Sequence, residues 1–457
     1  MDTQTAQALG HERLGQLLLQ YSLPAIVATA ATSLYNIIDR MFIGQGVGAM
    51  AISGLAITLP LMNLAIAFGA LVGAGASTLV SIRLGEGKGD AAARILGNTV
   101  VLNLLLSTCY SAILLLLLDP ALWLFGASEE TLPYARQFMQ IILVGNVFMH
   151  SYIGLNNIMR ASGYPRKAMT TTLFTVGLNL VLAPLFIFVF HWGIRGAAMA
   201  TVFSQLVGFG IVLVHFMGEK HTVHFLPGHF ALDRGVIRDI FAIGMSPFAM
   251  QIGASVVGLL MNWQLVRHGG DFAVGAFGVI NSVLLFVAMI VMGLTQGMQP
   301  IAGFNFGARQ YGRSTRVFKY TIYAATTLTC MGFLAGELFP GQIARAFTKD
   351  PDLSRLVVQG MRIALLLFPL VGFQMVTSTY FQSIGRAKIS IYLSLSRQVL
   401  FLIPALLLLP RLWALTGVWM ALPASDLAAS IVTFLVLKHE VRKIKALHQS
   451  TLPLATP

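Results

Sequence analysis

Long apolar stretches separated by short polar breaks recur along the whole chain. A helix that crosses a hydrocarbon core of ~30 Å needs about 20 apolar residues, and twelve stretches meet this length. Most of them are apolar on all sides rather than on one face, which is typical of membrane spans. The predicted spans lie at approximately 14–43, 51–82, 95–118, 134–158, 167–190, 196–217, 237–266, 273–303, 317–339, 357–382, 388–409 and 417–437.

The composition supports a membrane protein and excludes most soluble classes. Of the 457 residues, 56% are hydrophobic and 10% are charged, whereas an ordinary soluble domain carries about 25% charged residues. Such a chain lacks the polar surface that a soluble enzyme or a nucleic-acid-binding protein needs. The net charge of +13 would indicate a nucleic-acid partner in a soluble chain, so here it needs another explanation.

The two halves of the chain resemble each other at an offset of about 222 residues, with four landmarks in the same order. The pairs are Ser22–Ile26 with Met245–Ala249, Ile82–Arg94 with Phe304–Arg316, Arg160–Ala168 with Gln382–Ser390, and Gly196–Gln205 with Gly417–Asp426. Because each half holds an even number of spans, both halves enter the membrane in the same direction. Parallel repeats of this kind are typical of secondary transporters, with a substrate site near mid-depth.

The polar stretch between the halves sets the expected domain boundaries. We expect an amino-terminal lobe of six helices at 1–217, a cytoplasmic linker at 218–236, a carboxy-terminal lobe of six helices at 237–440 and a cytoplasmic tail at 441–457. The predicted fold is therefore an all-α polytopic membrane protein with twelve transmembrane helices. Its two six-helix lobes are related by a parallel pseudo-two-fold repeat.

The distribution of basic residues predicts the orientation in the membrane. If the amino terminus is cytoplasmic, 21 of the 30 lysine and arginine residues lie in segments on the inner side, Arg397 among them. This bias follows the positive-inside rule. It explains the net charge as a topology signal, and it places both termini in the cytoplasm.

Two acids inside predicted spans are candidates for ion binding, because an ionisable residue within a membrane is costly and usually functional. Asp39 lies in the first span, where a carboxylate can carry a proton or bind Na⁺. Asp426 lies near the middle of the twelfth span and could attract a cation or act as a second proton-linked group. The structural alternatives are a solvated or paired Asp39, and an Asp426 that holds helices together by hydrogen bonds.

Amide side chains offer neutral oxygens in the same spans. Asn36 precedes Asp39 by three residues, which predicts that both lie on one helix face. Asn157 lies at the inner end of the fourth span and Asn179 at mid-depth in the fifth. Each could equally form hydrogen bonds that hold neighbouring helices together.

No motif in the sequence indicates a cofactor, a metal site or an enzyme. The stretch Gly85–Asp90 contains glycines and a lysine but not the phosphate-binding loop, so ATP-driven transport by this chain is not expected. The two cysteines, Cys109 and Cys330, lie in apolar runs without metal-ligand spacing. We therefore expect no metal ion, no cofactor and no enzymatic activity.

Four stretches together resemble motifs of the multidrug and toxic compound extrusion (MATE) transporters, particularly the bacterial branch with the staphylococcal-type multidrug exporter and its DNA-damage-inducible relatives. The stretches are Tyr35–Ile57, Asn156–Met169, Gly177–Phe188 and Met298–Gln310. The likeness extends over nearly the whole chain. It implies an antiporter of the bacterial inner membrane that exports cationic or amphipathic organic compounds in exchange for H⁺ or Na⁺.

The resemblance also implies roles for individual residues. Asp39 matches the first-helix acid of the family, the candidate coupling site, and Asn179 matches the fifth-helix asparagine of the same polar network. Thr201 matches a hydroxyl of the sixth helix in that network. The chain departs from the family at two places, because Ala183 stands where an acid is frequent and the seventh helix offers Gln251 where an acid is expected.

The predicted function is secondary active antiport by alternating access. The expected coupling residues are Asp39 and Asn179, and the expected cavity residues are Asn36, Asn157, Thr201, Gln251 and Asp426. The expected partners are small organic cations or amphipathic drugs and membrane lipids, with no nucleic acid and no obligate protein partner. Two alternatives stay open: a lipid-linked precursor flippase of the same superfold, against which the acidic mid-membrane charges argue, and a non-transporting membrane scaffold or receptor, against which the repeat argues.

Overall fold

The structure, a computed structural model, describes residues 8–219 and 221–451, apart from the side chains of 49 and 444–451. The described residues form helices joined by turns, with no strand. The helices are α1 (Leu14–Gly46), α2 (Ala49–Gly85), α3 (Gly89–Leu116), α4 (Leu118–Leu124), α5 (Leu132–Ala161), α6 (Pro165–Pro184), α7 (Gly193–Met217), α8 (Arg234–Gly307), α9 (Tyr311–Leu338), α10 (Pro340–Phe347), α11 (Pro351–Ala364), α12 (Pro369–Ser383), α13 (Ala387–Leu395) and α14 (Ile403–Thr451). Two π-helical segments, Leu185–Val189 and Ser396–Leu402, extend α6 and join α13 to α14.

The twelve predicted spans are present. Among the described residues, eight helical stretches are long and apolar enough to cross a membrane. Two of these hold two spans each, because the helical backbone breaks at Gly270 within α8 and at Trp413 and Ala414 within α14. Two further spans are bent pairs, α9 with α10 at 81° and α11 with α12 at 54°. The prediction of an all-α fold with twelve spans is therefore confirmed.

The tenth span is broken where the sequence predicts a continuous helix. The pattern predicts one helix at 357–382, whereas α11 ends at Ala364 and α12 begins at Pro369. Proline lacks a backbone N–H, and inside a helix its ring clashes with the carbonyl four residues earlier. It is tolerated in the first turn of a helix, which is where Pro369 lies.

The turns between the helices repeat with the offset of the sequence repeat. Backbone conformations with positive φ recur in pairs: Gly48 with Gly270, Gly87 with Arg309 and Gly163 with Gly385 at the same offset, and Gly193 with Ala414 at nearly the same offset. Arg309 and Ala414 also have a positive φ, which costs a residue with a Cβ about 1–3 kcal/mol. A positive φ therefore recurs at equivalent turns of the two halves even where no glycine is present.

Two compact units form, and their boundaries lie inside helices. Among the described residues, one unit comprises 8–12 and Leu23–Phe248, and the other comprises Arg13–Ser22 and 249–451. The predicted lobes instead divide at the polar linker, 218–236. Residues 13–22, from the amino-terminal half, are thus grouped with the second unit. Residues 237–248, from the carboxy-terminal half, are grouped with the first unit.

Close helix contacts account for this grouping. A Cβ atom at Gly75 of α2 would collide with the backbone of Ile240, one turn before Gly244. In the other unit, a Cβ atom at Gly297 would collide with Ser22. Gly75 and Gly297 are equivalent positions of the repeat, as are Ser22 and Gly244, so each unit makes the same contact.

Candidate functional site

Asp39 on α1 is a buried carboxylate that has no hydrogen bond or ion pair within the described part of the chain. The residue is 8% exposed, and its Oδ1 atom is buried without a hydrogen-bond donor. Its neighbour Arg40 is exposed, because adjacent residues of a helix point in different directions. A carboxylate in such a place needs a proton or a cation to offset the cost of burial.

A hydrogen-bonded network joins α1, α6 and α7 beside this carboxylate. Tyr35 precedes Asp39 by one helical turn, so both project from the same face of α1. The Tyr35 hydroxyl lies 3.3 Å from Thr201 Oγ1, and Asn179 Nδ2 donates to the same oxygen at 3.3 Å. The structure thus brings Asn179 and Thr201 together and adds Tyr35, which the sequence analysis did not identify. We call Tyr35, Asp39, Asn179 and Thr201 the α1 cluster.

Two oxygen acceptors of the α1 cluster have no hydrogen-bond donor among the described residues. A hydroxyl has one hydrogen to donate, and Thr201 donates it to the carbonyl of Ala197 at 3.1 Å. Tyr35 and Asn179 therefore both donate to Thr201. Asn179 Oδ1 and Asp39 Oδ1 are left buried without a donor. Unpartnered oxygens of this kind fit a proton on the carboxylate or a hard cation, which prefers oxygen ligands.

Other residues expected at the site do not join this cluster. Asn36 is exposed, although its spacing predicts a face shared with Asp39. Asn157 and Gln251 are half-buried on α5 and α8. Within the described structure, none of these three side chains hydrogen-bonds to the α1 cluster. Ala183 is fully buried on α6, so the position where the family often has an acid supplies no second carboxylate.

Asp426 forms a buried ion pair in the second unit. Arg397 Nε donates to Asp426 Oδ1 at 2.7 Å, and the Asp426 side chain is 3% exposed, against 30% for the Arg397 side chain. Gln374 Nε2 donates to the Asp426 backbone carbonyl at 2.7 Å and to Ser430 Oγ at 2.5 Å, which ties α12 to α14. Asp426 is therefore paired and held between helices, as in the structural alternative, and does not present a free carboxylate.

Arg397, which the sequence analysis counts among the inner basic residues, lies inside a candidate span. It lies in the π-helical segment Ser396–Leu402, within the candidate span Ala387–Lys443. Ten residues of helix at 1.5 Å each separate it from the start of α13, about half of a ~30 Å core. The charges within the candidate spans thus include a base beside Asp426, which the argument from acidic charges did not take into account.

The chain matches a known protein family. The profile of the MatE family matches residues 24–185 and 248–407, which together exceed half of the chain and place one segment in each half. Asp39 and Asn179 lie in the first matched segment and Arg397 lies in the second.

Curated relatives share the similarity over most of their length. Multidrug export protein MepA of Staphylococcus haemolyticus is 26% identical over 420 residues, which are 92% of this chain and 92% of that protein. MepA of Staphylococcus aureus strain MSSA476 is also 26% identical over 420 residues, with the same coverage. The similarity therefore extends through both halves.

Solved structures show the same fold. A MOP superfamily transporter from Pyrococcus furiosus, described as having a binding pocket of reverse polarity, has a TM-score of 0.90 at 23% identity and covers 97% of this chain and 99% of its own. A multidrug resistance MATE family transporter in an outward-facing conformation has a TM-score of 0.91 at 23% identity, with 98% and 100% covered. These likenesses establish the fold.

Proposed function

Since this chain belongs to the MATE family, we propose that it is a secondary active antiporter. It exports cationic or amphipathic organic compounds in exchange for H⁺ or Na⁺ by alternating access. The relatives named above are multidrug export proteins, which supports small-molecule efflux. The chain is a multi-pass membrane protein, for which we propose the bacterial inner membrane and two cytoplasmic termini.

The observation that carries this proposal is the buried carboxylate of Asp39, whose Oδ1 atom has no hydrogen-bond donor among the described residues. An ionised carboxylate closed off from water costs several kcal/mol. A conformation that encloses Asp39 therefore favours a bound proton or cation. A conformation that exposes Asp39 to water stabilises the ionised carboxylate. This difference in affinity between two conformations is what coupling requires.

Competition for the same carboxylate links the two fluxes. An organic cation and the coupling ion are attracted by one negative charge, so the release of one favours the binding of the other. Tyr35, Asn179 and Thr201 hold their oxygens beside this charge through the hydrogen bonds of the α1 cluster. We assign cation coupling to Asp39 and Asn179 on this basis.

The ion gradient supplies the free energy, so the proposed cycle needs no cofactor. Among the residues that the structure describes, no group of three or more His, Cys, Asp or Glu side chains could hold a metal ion. The cycle consists of binding and release without a covalent step, and we propose no enzymatic activity. Membrane lipids surround the spans, and no nucleic acid or obligate protein partner is required.

The test is transport of ethidium by the full chain in proteoliposomes, first under a pH gradient alone and then under a Na⁺ gradient alone. We expect at least one gradient to drive the wild type. Asp39→Asn keeps the size of the side chain and removes its charge. We expect gradient-driven transport to fall by about tenfold or more, the effect of losing ~1.4 kcal/mol or more of coupling free energy.

The matched control is Asp352→Asn, which changes an aspartate whose side chain is 80% exposed on α11. We expect its transport to equal that of the wild type. Full gradient-driven exchange by Asp39→Asn would contradict the coupling role. A wild type that responds to neither gradient would contradict antiport with H⁺ or Na⁺.

A further inference from the structure

Arg397 is a base inside the membrane that uses only part of its hydrogen-bonding capacity. A guanidinium group carries five N–H donors, and the Nε–H donates to Asp426 Oδ1. Within the described structure, the two terminal nitrogens, Nη1 and Nη2, make no hydrogen bond. The side chain is 30% exposed. We call the terminal nitrogens, Nη1 and Nη2, the open edge of the guanidinium.

We infer that this edge contacts water rather than hydrocarbon. Unpaired N–H groups of a charged side chain in hydrocarbon would cost several kcal/mol, so charged residues in spans face the bundle interior or a water-filled cavity. Asp426, by contrast, has 3% of its side chain exposed. A ligand that arrives through the water therefore meets the base of this ion pair and not its acid.

We propose that the open edge of Arg397 binds the carboxylate of acidic or zwitterionic amphipathic substrates. Two parallel N–H groups of a guanidinium match the two oxygens of a carboxylate. The π-helical segment that carries Arg397 is a type of turn found frequently at functional sites. The inference rests on the proposed transport function and names the residue that would hold the acidic end of amphipathic substrates.

Asp426 is the positioning residue of this site. It orients the guanidinium through Nε and neutralises it when no ligand is bound. The same negative charge repels an incoming carboxylate. Asp426→Asn keeps an oxygen that accepts from Nε but removes this repulsion, so it is expected to strengthen the binding of an acid. If Arg397 and Asp426 were only a structural pair, the same change would destabilise the unit and weaken all ligands.

The experiment measures binding to the purified full chain in detergent with two fluorescent probes, N-dansyl-phenylalanine and its methyl ester. They differ only in the carboxylate. We expect the wild type to bind both probes. Arg397→Gln is expected to weaken the acid by about 10–100-fold, the scale of a charge-assisted bidentate pair, and to change the ester by less than about twofold.

Three further variants keep the proposal testable if Arg397→Gln does not fold. Arg397→Lys keeps the charge without the planar fork, so we expect intermediate affinity for the acid. Asp426→Asn should raise the affinity for the acid and leave the ester unchanged. The matched control is Arg355→Gln, because Arg355 pairs with Asp352 at 3.6 Å on the surface with 84% of its side chain exposed, and it should change neither probe.

Four outcomes would overturn the assignment: no binding of the acid to the wild type, equal weakening of acid and ester by Arg397→Gln, no weakening of the acid by Arg397→Lys, or weaker acid binding by Asp426→Asn. Binding in detergent needs no gradient, so the comparison of acid and ester tests Arg397 whether or not Asp39→Asn loses coupled transport.

Discussion

At the residue scale, the hydroxyl oxygen of Thr201 is the acceptor that joins α1, α6 and α7. Thr201→Val removes this oxygen at nearly constant volume and leaves the amide of Asn179, a residue 3% exposed, without its acceptor. A buried donor left unpaired costs about 1–3 kcal/mol, which is the expected loss in the free energy of unfolding. Unfolding in detergent, followed by tryptophan fluorescence, measures it. We also expect a higher KM for the coupling cation in proteoliposomes.

The control is Thr201→Ser, which keeps the hydroxyl and should keep both stability and KM close to those of the wild type. A valine variant with unchanged stability and unchanged KM would show that the network of Tyr35, Asn179 and Thr201 does not order the site. A loss of stability without a change in KM would assign Thr201 a structural role alone.

The sequence identified the acids more readily than their partners. Asp39 is evident because a charge inside an apolar span is rare, and the family resemblance pointed to Asn179 and Thr201. Tyr35 was missed because a tyrosine in an apolar helix is as compatible with packing as with a polar site. For Asp426 the sequence left a cation-attracting role and a structural role open, because its partner, Arg397, lies 29 residues away in another helical segment. Local periodicity carries no information on which helices face each other.

At the scale of elements, the contact of α2 with the start of α8 depends on the absence of a side chain at Gly75. A Cβ atom there would collide with the backbone of Ile240, and backbone cannot move aside as a side chain can. Gly75→Ala is therefore expected to lower the midpoint of thermal unfolding in detergent. Gly258→Ala is the control, because Gly258 has no neighbouring atom within 4 Å of the added Cβ. Alanine there should stabilise the helix by up to ~1 kcal/mol.

Equal midpoints for Gly75→Ala and Gly258→Ala would contradict the close contact. The repeat offers a second measurement, because Gly297 makes the corresponding contact with Ser22. We expect Gly297→Ala to behave like Gly75→Ala. Opposite behaviour of the two would show that the contact is not equivalent in the two units.

The sequence predicted the existence of the helices well and their interruptions less well. Hydrophobic length is sufficient to locate a span, because the membrane thickness fixes it. The break before Pro369 and the 81° bend between α9 and α10 were absent from the prediction. An apolar stretch of a given length can be one straight helix or two shorter ones. The residue types of the π-helical segment that carries Arg397 do not distinguish it from an α-helix.

At the scale of the whole molecule, the sequence predicted the internal repeat, and the compact units differ from the predicted lobes in the grouping of residues 13–22 and 237–248. The constant offset between similar stretches predicted two matched halves, and the turns with positive φ repeat with it. The unit boundaries follow packing rather than polarity, so they fall inside α1 and α8 and not in the polar linker. Packing of this kind depends on which glycines meet which helices, and the sequence pattern does not contain it.

The orientation of the molecule can be tested by labelling two turns that should lie on opposite sides of the membrane. Lys88, with 61% of its side chain exposed, lies between α2 and α3 beside further bases, whereas Glu129 lies in the acidic connection before α5. With Cys109 and Cys330 replaced by serine, we expect an impermeant maleimide to label Glu129→Cys in intact cells and Lys88→Cys only after permeabilisation, because basic loops stay inside. The reverse pattern would contradict two cytoplasmic termini. Since gradients rather than orientation set the direction of exchange, that result would correct the topology and leave the antiport proposal unchanged.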